Sequence, residues 1–287
     1  MKKIDGKKIA GKKLLNIKKT VENLNFEPAL GVVLVGDNPA SHLYVKLKEK
    51  AAKELGIELR KYTFADNVSQ SDIEQTIDFL NTDKDTNGII VQLPLPKHLD
   101  TNKIIGLIAP DKDVDGFCAI NQEKFLNNEG GVYPVFPRAI MDLVESEIKD
   151  LKDKNVVIIG KSDVFDKVMS HAFSMLGANV KFIECREGGK FQTNEQISIN
   201  EADVIVTACG KQKMLSCDLV RDGAVVIDGG ITKDGDKTVG DVDLSECDDR
   251  DITISPVPGG VGPVTISCLL ENVVKSAREQ NKNNEQS

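Results

Sequence analysis

The sequence predicts a two-domain α/β protein built on parallel sheets. Three observations predict it. Strand-like and helix-like segments alternate from end to end, strand-like runs in the second half restart at 156, 180, 204 and 224, and a glycine- and proline-rich stretch interrupts the alternation at 130–137. Intervals of about 20–25 residues are what successive strand–helix–strand units need. A chain of 287 residues suits two domains that each bury a core.

The elements follow in order. Met1 to Lys19 is rich in lysine and reads as a solvated amphipathic helix; it lacks the continuous apolar stretch of about 7–15 residues that a signal peptide needs. Ala29–Val35, Leu59–Phe64 and Gly88–Leu93 read as buried strands, and Leu43, Leu47, Ala51 and Leu55 repeat at the four-residue spacing of a helix. Gly130-Gly131, Pro134 and Pro137, followed by a helical stretch from Ala139 to Lys149, mark the domain junction. Beyond it come strands at Val156–Ile159, Val180–Ile183, Val204–Thr207 and Ala224–Asp228, a short strand at Ile252–Ile254, and a last helix from Val264 to Glu279. Residues 281–287 have nothing to bury and read as a disordered tail.

Composition closes off several functions. Lys plus Arg number 37 against 45 Asp plus Glu, a net charge of −8, whereas neutralising nucleic-acid phosphates needs a basic excess. No apolar run approaches the roughly 18 residues of a membrane span. The six cysteines, at 118, 185, 209, 217, 247 and 268, form no Cys-x-x-Cys pair and do not cluster with the three histidines. Neither a metal site nor a disulfide framework is expected, and the expected compartment is the cytoplasm.

Ligands of open α/β sheets collect at the carboxyl ends of strands, and four such loops stand out. After Ala29–Val35 comes Gly36-Asp37-Asn38-Pro39-Ala40-Ser41 and then a helix with Tyr44 and Lys48 one turn apart. A lysine there is either a solvated charge or an acid/base whose pKa its surroundings lower. Gln92-Leu93-Pro94-Leu95-Pro96 offers an amide at a strand end, either bonded to backbone in a stiff turn or presented to a ligand. Pro110-Asp111-Lys112-Asp113-Val114-Asp115-Gly116 lacks calcium-loop spacing; a carboxylate that accepts hydrogen bonds from a nitrogen-rich ligand is its better functional use. Pro256-Val257-Pro258-Gly259-Gly260-Val261-Gly262-Pro263 is stiff, yet its glycines let a ligand approach the backbone.

Together, Ser41-x-x-Tyr44-x-x-x-Lys48, Val91-Gln92-Leu93-Pro94-Leu95-Pro96, Asp113-Val114-Asp115-Gly116, Gly240-Asp241-Val242 and the 256–263 loop span nearly the whole chain. They resemble the bifunctional methylenetetrahydrofolate dehydrogenase/methenyltetrahydrofolate cyclohydrolase family. The resemblance implies a folate-binding catalytic domain over 1–137 with 264–280 packing back on it, a Rossmann-type dinucleotide-binding domain over 138–263, and a folate cleft between them. It also implies a homodimer formed through the cofactor domains, serving one-carbon metabolism and purine biosynthesis. By the same carry-over Lys48 is catalytic, Tyr44 lines up the folate, Gln92 holds the lysine, Leu93 lines the substrate site, Asp115 grips the pterin, and Pro258, Gly259 and Gly260 close over the substrate. Gly160, Lys161, Ser162, Glu187 and Ile231 fall to the cofactor, NADP or NAD.

The departures from the family pattern fall on the dinucleotide side. Pro-Cys-Thr-Pro-x-Gly is here Pro134-Val135-Phe136-Pro137-Arg138-Ala139, Gly-Arg-Ser-x-x-Val-Gly-x-Pro is Gly160 to Val168 with Phe165 and Asp166, and Cys-His-Ser-x-Thr is Cys185-Arg186-Glu187-Gly188-Gly189. Asp163 is expected to cap the helix and Asp166 to take its remaining amides, closing the end to phosphate. Glu187 suits a ribose hydroxyl better than a 2′-phosphate, while Lys161 or Arg186 can pair with that phosphate. The sequence therefore predicts a secure hydrolase step and a weakened dehydrogenase step. The alternative, a relative that binds folate without turning it over, has no use for Lys48, Gln92 and Asp115 together. An unrelated dehydrogenase would show Gly-x-Gly-x-x-Gly at 160–165 and does not.

Overall fold

The computed structural model describes residues 1–186, 190–235, 237–245 and 247–285, without the side chains at 163, 284 and 285. A two-residue strand β1 (Lys2–Lys3) leads into α1 (Gly6–Val21), and then β2 (Ala29–Val35), α2 (Pro39–Leu55), β3 (Glu58–Phe64), α3 (Gln70–Thr82) and β4 (Gly88–Val91) alternate. Short helices α4 (Thr101–Gly106) and α5 (Ala119–Leu126) precede α6 (Val135–Glu147). The alternation restarts with β5 (Asn155–Gly160), α7 (Asp163–Ser174), β6 (Asn179–Glu184), α8 (Thr193–Glu201) and β7 (Val204–Ala208). After β8 (Leu215–Ser216), β9 (Val225–Asp228), β10 (Thr232–Asp234), β11 (Lys237–Val239), β12 (Val242–Asp243) and β13 (Thr253–Ile254), the chain ends in α9 (Val261–Glu285).

The chain divides into two compact units. Residues 11–135 with 266–287 build one around a parallel sheet of order β3-β2-β4. All seven residues of β2 are buried, as a continuous apolar run flanked by two parallel neighbours requires. Ile73, Ile77 and Leu80 of α3 pack with Val33, Val35, Ile89 and Val91 of the sheet. The Lys112 ammonium donates to the carbonyls of Leu80 and Asp83 at 2.8 and 2.6 Å, closing the end of α3 as a cation at a helix C-terminus does.

Residues 1–10 with 136–265 build the other unit, on a six-stranded sheet of order β1-β13-β9-β7-β5-β6 in which every pairing is parallel. From β5 the chain passes through α7 to β6 on one side, then through α8 to β7 on the other. The direction of winding reverses at the β5/β7 boundary, the position where such sheets bind ligands.

Four expectations need correction. Met1–Ala10 belongs to the six-stranded unit, because the amides of Lys2 and Ile4 donate to the carbonyls of Ile252 and Ile254, both at 2.8 Å; a two-residue strand of lysines has no apolar period to reveal it. The inward face of α2 carries Ser41, Val45, Ala52 and Leu55, while Leu43 and Leu47 are exposed; sequence spacing identified the helix and misjudged its face. α9 continues helical to Glu285, into the expected tail: a long nucleated helix extends at one hydrogen bond per residue without needing burial. Cys217 and Cys247, both fully buried, are joined in a disulfide with Cα atoms 5.6 Å apart, within the range such bonds require.

That bond closes a loop of 30 residues, a constraint on the unfolded chain worth about 2–4 kcal/mol. Cys247→Ser is expected to lower the unfolding free energy by that amount, and a reductant to do the same to the unaltered chain. Urea unfolding with and without dithiothreitol measures it; coincident midpoints would show that the bond contributes nothing.

Candidate active site

The catalytic candidates are set by the start of α2. Asn38 accepts from the amides of Ala40 and Ser41 at 2.9 and 3.2 Å, and Pro39 holds the first turn, the usual chemistry of a helix start. This fixes Ser41, Tyr44 and Lys48 over successive turns. β4 ends at Val91, and Gln92 lies just beyond, its amide bonded to the Val33 carbonyl at 2.9 Å. The Gln92 side-chain NH₂ donates to the Leu93 carbonyl at 2.9 Å, which orients its Oε1 to accept from Lys48 Nζ at 2.9 Å. Ser41 Oγ donates to the same Leu93 carbonyl at 3.4 Å.

Asp115 is placed by a residue that sequence reasoning left without a role. Asp113 is buried, and its carboxylate accepts from the amides of Gly116, Phe117 and Cys118 at 3.1, 3.3 and 2.9 Å and from Asn121 Nδ2 at 3.0 Å. A buried carboxylate with four donors is satisfied and locks the turn around it. Gly116 there adopts φ +74°, which a side chain would resist. From α9, Asn272 Nδ2 donates to the carbonyls of Val114 and Tyr133 at 2.9 and 3.1 Å. The only sequence signal for this was two aspartates spaced two apart before a glycine.

Burial holds Lys48 below the usual ammonium range, with the negative charge of Asp115 opposing the shift. Burial likewise pushes Asp115 up to about 6, with Lys48 opposing and Asp113 adding to it. Tyr44 is raised by burial. A lysine of reduced basicity, hydrogen-bonded to a neutral amide and within electrostatic reach of a carboxylate, is equipped to take up and return a proton. Among the described residues, no group of His, Cys, Asp or Glu could hold a metal ion.

The six-stranded unit gathers the cofactor candidates at its switch point. Gly160 ends β5, and Ser162 caps α7, its Oγ accepting from the Phe165 amide at 3.2 Å. The expected cap at Asp163 is therefore corrected: the hydroxyl one residue earlier does that work. Asp166 does not take the helix amides either, since it accepts from Ser170 Oγ at 2.6 Å one turn along. Lys161 Nζ and the Ile231 carbonyl meet at Gly210, a residue the sequence reading passed over. Arg186 is engaged by Glu195 through two bonds of 3.1 and 2.8 Å. Glu187 lies outside the described residues.

Buried Asp228 and Asp241 hold the loops beside this crevice. Asp228 accepts from the amides of Gly230, Asp241 and Val242, each at 3.0 Å, and Asp241 from those of Cys209 and Lys211 at 2.6 and 2.7 Å. Their oxygens occupy the space where side chains at Gly240 and Gly230 would begin, which explains the glycine of Gly240-Asp241-Val242. Pro258, Gly259 and Gly260 belong to this unit as well, and the backbone of the two glycines packs on Gly6: a Cβ on Gly6 would lie 2.0 Å from the Gly260 carbonyl oxygen.

A parallel α/β protein with a lysine–amide–carboxylate site in one unit and a dinucleotide-type switch point in the other is the class this defines. Residues 4–115 match the model of the tetrahydrofolate dehydrogenase/cyclohydrolase catalytic domain, and residues 134–281 that of the corresponding NAD(P)-binding domain. The chain is 40% identical over 286 residues to the bifunctional protein FolD of Nitratiruptor sp., covering 98% of this chain and 100% of the relative. The crystal structure of the bifunctional enzyme FolD from Campylobacter jejuni superposes with a TM-score of 0.90 at 39% identity, over 97% of this chain and 99% of that one. The Trypanosoma brucei enzyme, solved with NADP cofactor and inhibitor, gives a TM-score of 0.90 at 28% identity, over 98% of both chains. The chain belongs to the tetrahydrofolate dehydrogenase/cyclohydrolase family, and it is an enzyme of folate one-carbon metabolism. The NAD(P) assignment fits the phosphate half of the crevice: a hydroxyl-capped helix N-terminus, and Lys161 beside Gly210.

Proposed function

We propose that Lys48, held by Gln92 and facing Asp115, hydrolyses methenyltetrahydrofolate to formyltetrahydrofolate. The observation that carries this is the Lys48–Gln92 hydrogen bond on a lysine whose basicity burial reduces. The substrate is a cationic amidinium-like ring, so a lysine whose charged form burial disfavours is a better neighbour than a fixed positive charge. Water attacks the one-carbon centre and Lys48 takes its proton. The tetrahedral adduct then breaks one carbon–nitrogen bond, the ring nitrogen takes a proton back from Lys48, and the adduct hydroxyl releases its own proton as the formyl carbonyl forms. Tyr44, one turn from Lys48, lines up the folate, Leu93 lines its site, and Asp115 accepts from the pterin. NAD(P) supplies a hydride acceptor for methylenetetrahydrofolate when bound; Gly160, Lys161, Ser162 and Ile231 would hold it.

Loss of methenyltetrahydrofolate absorbance in the presence of the pure protein tests the hydrolysis. A protein that binds a folate analogue and leaves this absorbance unchanged would overturn the proposal. A pH dependence follows from the raised pKa of Asp115. An ionised carboxylate can accept two hydrogen bonds and a protonated one loses that capacity, so affinity for a folate analogue is expected to fall about tenfold per pH unit below about 6. Calorimetry at pH 5, 6 and 7 measures it, and constant affinity would remove Asp115 from the site.

The same reading places the enzyme in the cytoplasm, supplying formyl groups for purine biosynthesis. We further propose a homodimer through the six-stranded unit. Among the described residues no strand pairs with the outer side of its edge strand β6, and Met175 and Leu176 just before it are 54% and 42% exposed.

A further inference from the structure

Glycines at the carboxyl ends of parallel strands leave room for a dinucleotide to approach the backbone. Among the described residues of the six-stranded unit, Gly210 is open whereas Gly160 and Gly229 are not. At Gly210, beyond β7, a Cβ would meet nothing closer than the Ile231 carbonyl at 3.5 Å. At Gly160, ending β5, it would lie 2.7 Å from the Phe165 ring and 3.1 Å from Phe182. At Gly229, just past β9, it would lie 2.8 Å from Phe136 Cζ. Phe136 and Phe165 touch, with ring centroids 5.8 Å apart at 43°. They form a bridge from the end of β5 to the end of β9, past the end of β7 that lies between those strands.

Neither ring is among the fully buried residues of the core. Both are only half-buried, whereas α6 already buries Ala139, Ile140, Leu143 and Val144, and α7 buries Val168, Met169, Ala172 and Phe173. Both also stand where the family pattern has something smaller, threonine for Phe136 and valine for Phe165. The position matters because a dinucleotide laid across a switch point sets its adenosine toward the second strand, here β6, and its nicotinamide on the far side, toward β7 and β9.

We propose that Phe136 and Phe165 form an aromatic plug over the nicotinamide end of the crevice. A nicotinamide ring enters only by turning them aside, so the chain favours hydrolysis over hydride transfer. This rests on the family reading of the crevice and adds what sets the balance between the two activities. The cause it names is steric, unlike the charge at Asp166, whose carboxylate is turned to Ser170.

The test is calorimetric binding of NADP, NAD and ADP-ribose, which lacks the nicotinamide ring, to the full chain and to Phe136→Thr/Phe165→Val. We expect both whole dinucleotides to bind the double variant at least tenfold tighter, ADP-ribose to bind both proteins within twofold, and methenyltetrahydrofolate hydrolysis to stay within twofold. Equal dinucleotide binding by the two proteins, or an equal gain for ADP-ribose, overturns the plug. Should the double variant melt below the assay temperature, Phe165→Leu alone is expected to tighten NADP at least threefold, and no gain there is also fatal. Absence of hydrolysis in the unaltered chain would overturn the Lys48 reading and leave the plug to be judged by binding alone.

Discussion

Lys48→Met is expected to reduce methenyltetrahydrofolate hydrolysis by at least a hundredfold while the fold and folate affinity are kept. Positioned proton transfer is worth about 10²–10⁴-fold, and Lys48 is the group in this site placed to supply it, with Gln92 Oε1 2.9 Å from its ammonium. Lys48→Arg should fail nearly as badly, because a guanidinium keeps its proton at every accessible pH. The methionine preserves length and apolar contact, so circular dichroism and analogue binding should change little. A methionine variant that retains a tenth of the activity would refute the assignment.

Asp115→Asn is expected to weaken folate-analogue binding by about 10–150-fold and to stabilise the free protein. One charge-assisted hydrogen bond is worth about 1.5–3 kcal/mol, which gives the first figure. The second follows from linkage. Burial raises the folded-state pKa of Asp115 to about 6, above the ordinary 3.8, so the folded protein holds this proton more tightly than the unfolded chain. Stability is therefore lost as pH climbs from about 4 to 6, and the whole penalty persists at neutrality. Two pKa units correspond to about 3 kcal/mol, and partial solvent access reduces this to about 1–3. Asparagine carries no charge to desolvate. Unfolding at pH 7.5 and calorimetry on the same preparation check both halves, and a destabilised variant would contradict the argument.

Much of this was readable beforehand because the signals were local. The apolar run Ala29–Val35, the proline and asparagine before α2, and the Tyr44/Lys48 spacing each act within one turn or one strand. Gln92 at a strand end was visible as a position, whereas its bond to Lys48 joins residues 44 apart and needed the parallel β2–β4 pairing. Asp113 shows the limit more sharply. Beside Asp115 it looks like a second ligand carboxylate, and only the backbone amides converging on it reveal that it builds the turn. The cap of α7 was misplaced by one residue because serine and aspartate are equally good caps. The Phe136–Phe165 contact was hidden for another reason: an aromatic residue in a sequence gives no sign whether it faces a core or a crevice.

The turn that presents Asp115 is held by Asn272, and neighbouring backbone by α9 as well: Ser276 Oγ donates to the Asn87 carbonyl at 2.9 Å, and Gln280 Nε2 to those of Asn87 and Asp111 at 2.9 and 3.0 Å. These struts come from 266–287, whereas the turn lies within 11–135. On the ribosome, about 130 further residues must be made between the two segments, which at 5–20 residues per second takes roughly 7–26 s. During that interval the nascent chain holds the lysine, the amide and the carboxylate without the helix that braces them. Folate can therefore act as a folding ligand only late in synthesis, and a ribosome stalled before 266 leaves an unbraced half-site for proteases to find.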